Sequence, residues 1–492
     1  MIKQFLHTIG KKLMLMTEES LKDKTYLEKK IAAWLHSPQR IEQLTGDRYY
    51  RGDHDILKKK RMGIGKDGEQ VELKHLPNNR KIDNQYAKMV DQKTNYLLSQ
   101  PLAFKSENEG YISQLNKVFN KRFHKILKNL GEDCMNGGIA WLYPYYDETG
   151  ELKFKRFAAH EILPFWVDTD HTELAMAVRY YVEEDPKNID RVIEKVEVYT
   201  KNGIDFYTFE NNRLHPDVKK QHENYMTVGE KGYNWERIPL IAFKLNAKEI
   251  PLIKRCKNLQ DAINEIVSTF KNNMEENAYN TILILENYEG EDPAEFRHNV
   301  NQYGLIKVGS IDGARGDVRT LQIEVNAQNY ESMLKMFKKA LLENCKGYDF
   351  TDLHTSGGEP NQMLVKSIFS EIDLDANEME LEFQCSFEEL LWFVNRSLGV
   401  TDEDVEIIFN RDVLQNEAEI IQMLASIGLR VSNRTLISQV PFVDNIDEEE
   451  AQLEKEEQEA IDAYGGSVPM NGGVKNGNKG VLAETHSSSR RS

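Results

Sequence analysis

The chain has 492 residues, 29% of them charged and 40% hydrophobic, with a formal net charge of −17. That balance is typical of a folded, water-exposed protein and lacks the basic footprint of a general nucleic-acid binder. With no apolar run of about eighteen residues there is no expected transmembrane helix, and the length argues for about three domains.

Residues 1–12 are mildly amphipathic and basic, without the apolar core or cleavage site of a secretory signal, and are expected to form an exposed arm. A Thr/Ser-plus-Glu capping signal predicts a surface helix over 17–36, and further helices are expected over 40–57, 84–99 and 109–136. The intervening 58–80 is polar and irregular. From Gly137 the pattern changes to strands: a hairpin over 139–157, then strands over 162–167, 174–182, 195–200, 204–210 and 238–243. Residues 251–277 regain helical spacing, with Leu252, Leu259, Ile263, Ile266 and Phe270 on one face. At 1.5 Å per residue this helix spans about 40 Å. A small insert follows, with strands expected over 281–285, 305–308 and 318–325 and a short helix near Pro293.

The most ordered stretch comes next. Tyr330, Met333, Leu334, Phe337 and Leu341 mark the apolar face of a helix over 327–346, and Lys335, Lys338, Lys339, Glu343 and Lys346 stand opposite. Residues 349–360 form a loop punctuated by Gly357, Gly358 and Pro360. Helical spacing resumes through Leu364, Ile368, Ile372, Phe383, Phe387 and Leu390, and residues 371–389 hold eight acidic side chains and no basic one. After Gly399 a strand over 405–409 leads to capped helices beginning near Asn416 and Ser432. Residues 444–462 carry ten acids against one lysine, and the tail from Gly465 is too rich in Gly, Asn and Ser to fold.

Catalytic motifs are sparse. Gly63-Ile64-Gly65-Lys66-Asp67-Gly68 fits G-x-G-x-x-G, but it follows a polybasic run and reads as a loop. Asp373, Asp375 and Asn377 open like an EF-hand, yet Glu378 replaces the turn glycine and Gln384 the bidentate glutamate, so a bend in an acidic helix is expected. His160-Glu161 lacks the second histidine of H-E-x-x-H, and neither a Walker A motif nor G-x-S-x-G occurs. No metal or cofactor is expected. Cys134, Cys256, Cys345 and Cys385 fall on or near apolar helix faces without C-x-x-C spacing, so buried free thiols in a reducing compartment are expected. Two other classes stay open on composition: a metal-dependent nucleic-acid enzyme using Asp373, Asp375 and Glu378, and a DNA mimic built on the acidic C-terminal block.

Several phrases, in their order, resemble the portal proteins of tailed double-stranded DNA bacteriophages, in the branch from long-tailed phages of Gram-positive bacteria. They are Arg48-Tyr-Tyr-Arg-Gly-Asp-His, Asn95-Tyr-Leu-Leu-Ser-Gln-Pro-Leu, Asn136-Gly-Gly-Ile-Ala-Trp-Leu, Arg237-Ile-Pro-Leu-Ile-Ala-Phe, Asn416-Glu-Ala-Glu-Ile-Ile and Ser432-Asn-Arg-Thr-Leu. Where related chains pass from Ser-Gly into a small apolar residue, this one inserts Gly358-Glu359-Pro360-Asn361.

The resemblance implies a mainly helical α+β fold with wing, stem, clip and crown, assembled as a ring of about twelve subunits at one capsid vertex. Mapped on this chain, the wing and arm would cover 1–250, the stem helices 251–278 and 326–348, and the clip 279–325. The tunnel loop would cover 349–361, the tunnel helix 362–399, the return to the wing 400–415, the crown 416–462 and a disordered tail 463–492. The implied function is a non-enzymatic channel for packaging and ejecting double-stranded DNA. Implied partners are the terminase large subunit, the major capsid and scaffolding proteins and a head–tail adaptor. Residues expected at the channel are His354, Thr355, Ser356, Gly357 and Gly358 of the tunnel loop. Lys335, Lys338, Lys339, Lys346, Glu371, Asp373, Asp375 and Glu378 are further lining candidates. A channel through which DNA must move is poorly served by many phosphate-neutralising lysines, because each contact releases counterions and tightens binding. An acidic lining would repel phosphate, and the paired glycines give the loop cheap backbone freedom.

Overall fold

Local caps decide where the helices of this chain begin and stop. The structure, a computed structural model, describes residues 23–64, 68–74, 76–185, 188–279, 282–286, 310–311, 314–315, 317–321, 326–349, 362–401, 403–411, 432–437 and 446–463. Helix α1 (Lys24–Leu35) starts where the Asp23 side chain accepts from the Thr25 amide. Helix α2 (Pro38–Tyr50) has Ser37 as its cap and Pro38 in its first turn, where a missing N–H costs nothing. The expected extension to residue 57 does not form: Gly52 takes a left-handed φ of 85°, and residues 55–58 make a separate 3₁₀ turn. The helix expected over 109–136 is likewise two, α4 (Glu109–Val118) and α5 (Lys121–Gly137), after α3 (Gln85–Leu98). Asn120 divides them, its side chain accepting from the amides of Arg122 and Phe123 and starting a new helix.

Two antiparallel sheets follow the switch to strands. In the smaller, β4 (Ile139–Tyr146) lies between β5 (Leu152–Phe157) and β14 (Ile241–Lys244). The larger is a meander of β6 (Ile162–Trp166), β7 (Leu174–Asp185), β8 (Asn188–Thr200), β9 (Gly203–Glu210) and β10 (Arg213–Pro216), with β11 (His222–Glu223) also on β9. Short hairpins pair β1 (Met62–Ile64) with β2 (Gln70–Glu72) and β12 (Met226–Val228) with β13 (Lys231–Tyr233). Leu27, Ile31 and Trp34 of α1 join Met176, Val178, Val196, Val198 and Phe209 in a core on one face of the meander.

Beyond the body, α6 (Ile253–Tyr279) is followed by β15 (Ile282–Glu286), β16 (Ser310–Ile311), β17 (Ala314–Arg315) and β18 (Asp317–Leu321), paired β15 with β18 and β16 with β17. The helix expected near Pro293 and the strand over 305–308 lie outside the described residues. Then come α7 (Ala327–Asn344) and α8 (Gln362–Leu398), the latter one continuous helix. Phe383, Phe387, Leu390, Phe393 and Val394 of α8 are buried with Phe243 and Trp141 in the main core. Strand β19 (Glu406–Ile408) pairs with β3 (Ala103–Lys105), returning the chain to the body. Residues 1–413 and 414–492 form two units. In the second, α9 (Asn433–Ile437) is joined to the acidic helix α10 (Ile446–Ala463) by an Arg434–Glu450 ion pair of 2.6 Å. The helix expected at Asn416 and the tail from Gly465 lie outside the described residues.

Gly138 closes α5 with a left-handed φ of 76°, and a Cβ there would overlap the Glu249 carbonyl oxygen. Gly138→Ala is therefore expected to destabilise the chain by roughly 2–4 kcal/mol, read as a shift in the urea unfolding midpoint.

Candidate channel-forming elements

Polar residues recur every fourth position along α6: Gln260, Asn264, Ser268, Asn272 and Glu276. That spacing sets them in one row along the helix. Residues 77–84 pass over the row without regular secondary structure, and alternate amides dock on it. The Asn79 amide donates to Asn272 Oδ1 at 2.7 Å, the Lys81 amide to Ser268 Oγ at 2.9 Å, and the Asp83 amide to Asn264 Oδ1 at 3.0 Å. Gln260 completes the series, accepting from the Tyr86 amide and donating to the Asp83 carbonyl. Four helical residues advance about 6 Å and two extended ones about 6.5 Å, so the two periods stay in step. Buried His54 joins the row. Asn264 Nδ2 donates to its Nδ1 at 2.8 Å, which leaves Nε2–H to donate to the Tyr49 carbonyl at 3.0 Å. Burial lowers the pKa of this ring.

Helix α7 packs along α6. Asn273 Nδ2 donates to the Tyr330 hydroxyl at 2.8 Å, and the Phe270 and Tyr330 rings lie 5.1 Å apart. Near the end of α7, Leu341 and Cys345 are fully buried, as is Cys256 in the first turn of α6, whose thiol donates to the Leu252 carbonyl at 3.5 Å. The neighbouring Cys345 thiol, reinforced by burial, pushes the Cys256 thiol well up.

Four helical segments then meet at one carboxylate. Asp375 of α8 lies 2.8 Å from Lys93 of α3, 3.1 Å from Arg255 of α6 and 3.1 Å from Lys346 just beyond α7. The Lys93 side chain is only 2% exposed and that of Asp375 11%. Burial opposes the charge on Asp375, but Lys93, Lys346 and Arg255 outweigh it and hold its pKa at about 2. One turn away, the Arg411 guanidinium engages Asp373, Asn377 and Glu380, and the Tyr96 hydroxyl donates to Asp373 at 3.0 Å.

These contacts sort the expected lining residues. Asp375, Asp373 and Lys346 are brought together, but in ion pairs within the chain. Lys338 is turned back onto Asp83 at 2.6 Å. Lys335 and Lys339 are exposed, with Glu331 and Glu343 one turn away on the same helix, and Glu371 and Glu378 are exposed on α8. The loop residues His354, Thr355, Ser356, Gly357 and Gly358 lie outside the described residues. The EF-hand-like run sits inside continuous α8, and three cations around Asp375 make it a poor seat for a divalent cation. The G-x-G-x-x-G run begins in the strand of a hairpin, without the strand-to-helix turn that phosphate binding needs. Arg411, Arg255 and the α6 row had not been singled out from sequence. Lys93 carried a signal, because it occupies an apolar-face position of its helix and so requires a partner.

One cysteine departs from expectation. Cys385 is exposed, whereas Cys134, Cys256 and Cys345 are buried. It borders a cleft of about 610 Å³ between the β6–β7 connection, β14 and α8, lined also by Trp166, Glu173, Arg237, Lys244 and Glu389. Burial pushes the Glu389 carboxyl up to about 7, against the pull of Arg237 and with help from Glu173.

Over residues 27–463 the chain matches the family described as phage portal protein, SPP1 Gp6-like, and it belongs to that family. It is 28% identical over 463 residues to the portal protein of Bacillus phage SPP1, covering 92% of this chain and 90% of that protein. It is 26% identical over 427 residues to the portal protein of Clostridium phage phiCD119, covering 84% and 92%.

Asn264→Leu strands the Asp83 amide and the His54 ring and is expected to cost roughly 2–4 kcal/mol in chemical denaturation. Glu389→Gln tests the cleft. The folded pKa of Glu389 lies above the unfolded carboxylate value, so its ionisation penalises folding increasingly from about pH 4 to about 7 and uniformly above. The variant is therefore expected to be more stable than the parent, by a margin that grows over that range and then levels off in unfolding curves taken at pH 4, 5.5, 7 and 8.

Proposed function

We infer that this chain assembles into a ring, of about twelve copies, forming the channel at one vertex of a phage capsid through which double-stranded DNA enters and leaves. The family match across residues 27–463 carries this reading. The body to residue 250 serves as the wing, α6 and α7 as the stem, the paired strands β15 to β18 as part of the clip, and α8 as the tunnel helix. Residues 416–462, which include α9 and nearly all of α10, serve as the crown. The clip meets the packaging ATPase, the terminase large subunit, and later a head–tail adaptor, while capsid and scaffolding proteins surround the wing. The protein works in the virion after assembly in the host cytoplasm and catalyses no reaction itself.

His354 to Gly358 project into the lumen on this reading. Of the lining candidates, Lys335, Lys339, Glu371 and Glu378 are the ones exposed in the single chain, whereas Asp375, Asp373, Lys338 and Lys346 are held in pairs within it. Among the described lining candidates Lys335 and Lys339 are the exposed cations, each beside an acid, which suits a duplex that has to slide.

Native mass measurement and electron microscopy of the purified chain are expected to show closed rings; a stable monomer at high concentration overturns the reading. Replacing His354, Thr355 and Ser356 together by alanine is expected to leave ring assembly intact and lower DNA packaging several-fold.

A further inference from the structure

Two helix faces of the first unit have nothing packed on them among the described residues. On α8, Glu371, Leu374, Glu378 and Leu381 recur at three- and four-residue steps, and Leu374 and Leu381 are 67% and 63% exposed. Leucines that open, one heptad apart, are covered by nothing described in this chain, although the opposite side of the same helix is packed with phenylalanine. On α7, Met333 and Met336 are 44% and 58% exposed, flanked by exposed Lys335 and Lys339. One face is therefore leucine with acids, the other methionine with lysines.

Their charges complement each other. No basic residue occurs anywhere in 371–389, so the acids of the α8 face have no cation on their own helix segment. The lysines of the α7 face do have acids beside them, Glu331 at 2.7 Å and Glu343 at 4.0 Å, but all four side chains are mostly exposed. Such i,i+4 pairs at the surface are weak and re-pair readily when a better-desolvated acid arrives.

We propose that the α7 face of one subunit docks on the α8 face of a second copy, Lys335 and Lys339 meeting Glu371 and Glu378, and Met333 and Met336 covering Leu374 and Leu381. The inference rests on the ring reading above and deepens it. Within a ring the contact runs head-to-tail and repeats until the ring closes, in contrast to a reciprocal two-fold pairing of the same faces, which would stop at two subunits. It also sets the charge of the wall, since lysines and acids neutralise one another across each joint and leave DNA little to grip.

The test uses full-length chain in a Cys385→Ser background, with circular dichroism to verify folding. Lys335→Glu with Lys339→Glu, and separately Glu371→Lys with Glu378→Lys, should each lower the assembled fraction about tenfold by native mass at concentrations where the parent is fully assembled. All four changes in one chain should restore assembly. Independently, Met336→Cys combined with Leu381→Cys should give a ladder of covalent oligomers on mild oxidation, seen on a non-reducing gel. Rings that form normally despite either reversal, with no ladder, overturn the docking while leaving the ring. Reversals that are not rescued in the fourfold variant, with no ladder, or products that stop at two subunits, also overturn it. A parent chain that stays monomeric removes the ring reading and this joint with it.

Discussion

A match of periods underlies the placement of the long helices. The row of polar side chains on α6 advances at nearly the same step as the alternating amides of residues 79–83, and this lets an irregular segment be satisfied without joining a sheet. The segment leads into α3, whose Lys93 in turn fixes Asp375 of α8. Remove the ladder and the extended segment has buried amides without acceptors; the route from α6 to α3 to α8 is then lost. His54 and Tyr49 extend the same network to the end of α2, where the Arg48-to-His54 phrase is dense in polar and aromatic groups.

The Asp375 junction works by a different physics. A buried carboxylate facing a single lysine is often no more stable than an apolar pair, because desolvation cancels the attraction. Here three cations converge from separate elements, and Lys93 has the Lys346 carbonyl as a second acceptor at 3.3 Å. The value of such a junction lies in geometry: a charge that must be met from three sides permits few other arrangements of the helices that bring the partners.

Much of this was legible in the sequence. The long helices declare themselves through apolar residues at 3.6-residue spacing, the β4–β5 hairpin through its turn, and family membership through the order of short phrases, which the match over residues 27–463 bears out. Boundaries were less legible, since a single Asn120 side chain or the left-handed Gly52 overrides a favourable periodicity on either side. Arg411 and Asp373 are 38 positions apart, and Lys93 and Asp375 are 282 apart. No local pattern announces such partners, although a lysine among apolar residues or polar residues at fixed spacing show that partners must exist. The thiol of Cys385 illustrates the converse: helical position alone does not say whether a residue on the edge of an apolar face ends inside or outside.

Continuity of α8 has a mechanical consequence. At 37 residues the helix is roughly 55 Å long, a stiff rod with no proline in it. Its rear half is clamped by Phe383, Phe387 and Phe393 within an aromatic cluster, and its middle by the Arg411 and Asp375 contacts. From Phe369 onward the rod is therefore seated along its length. Tilting it as a whole would require the aromatic seat to yield.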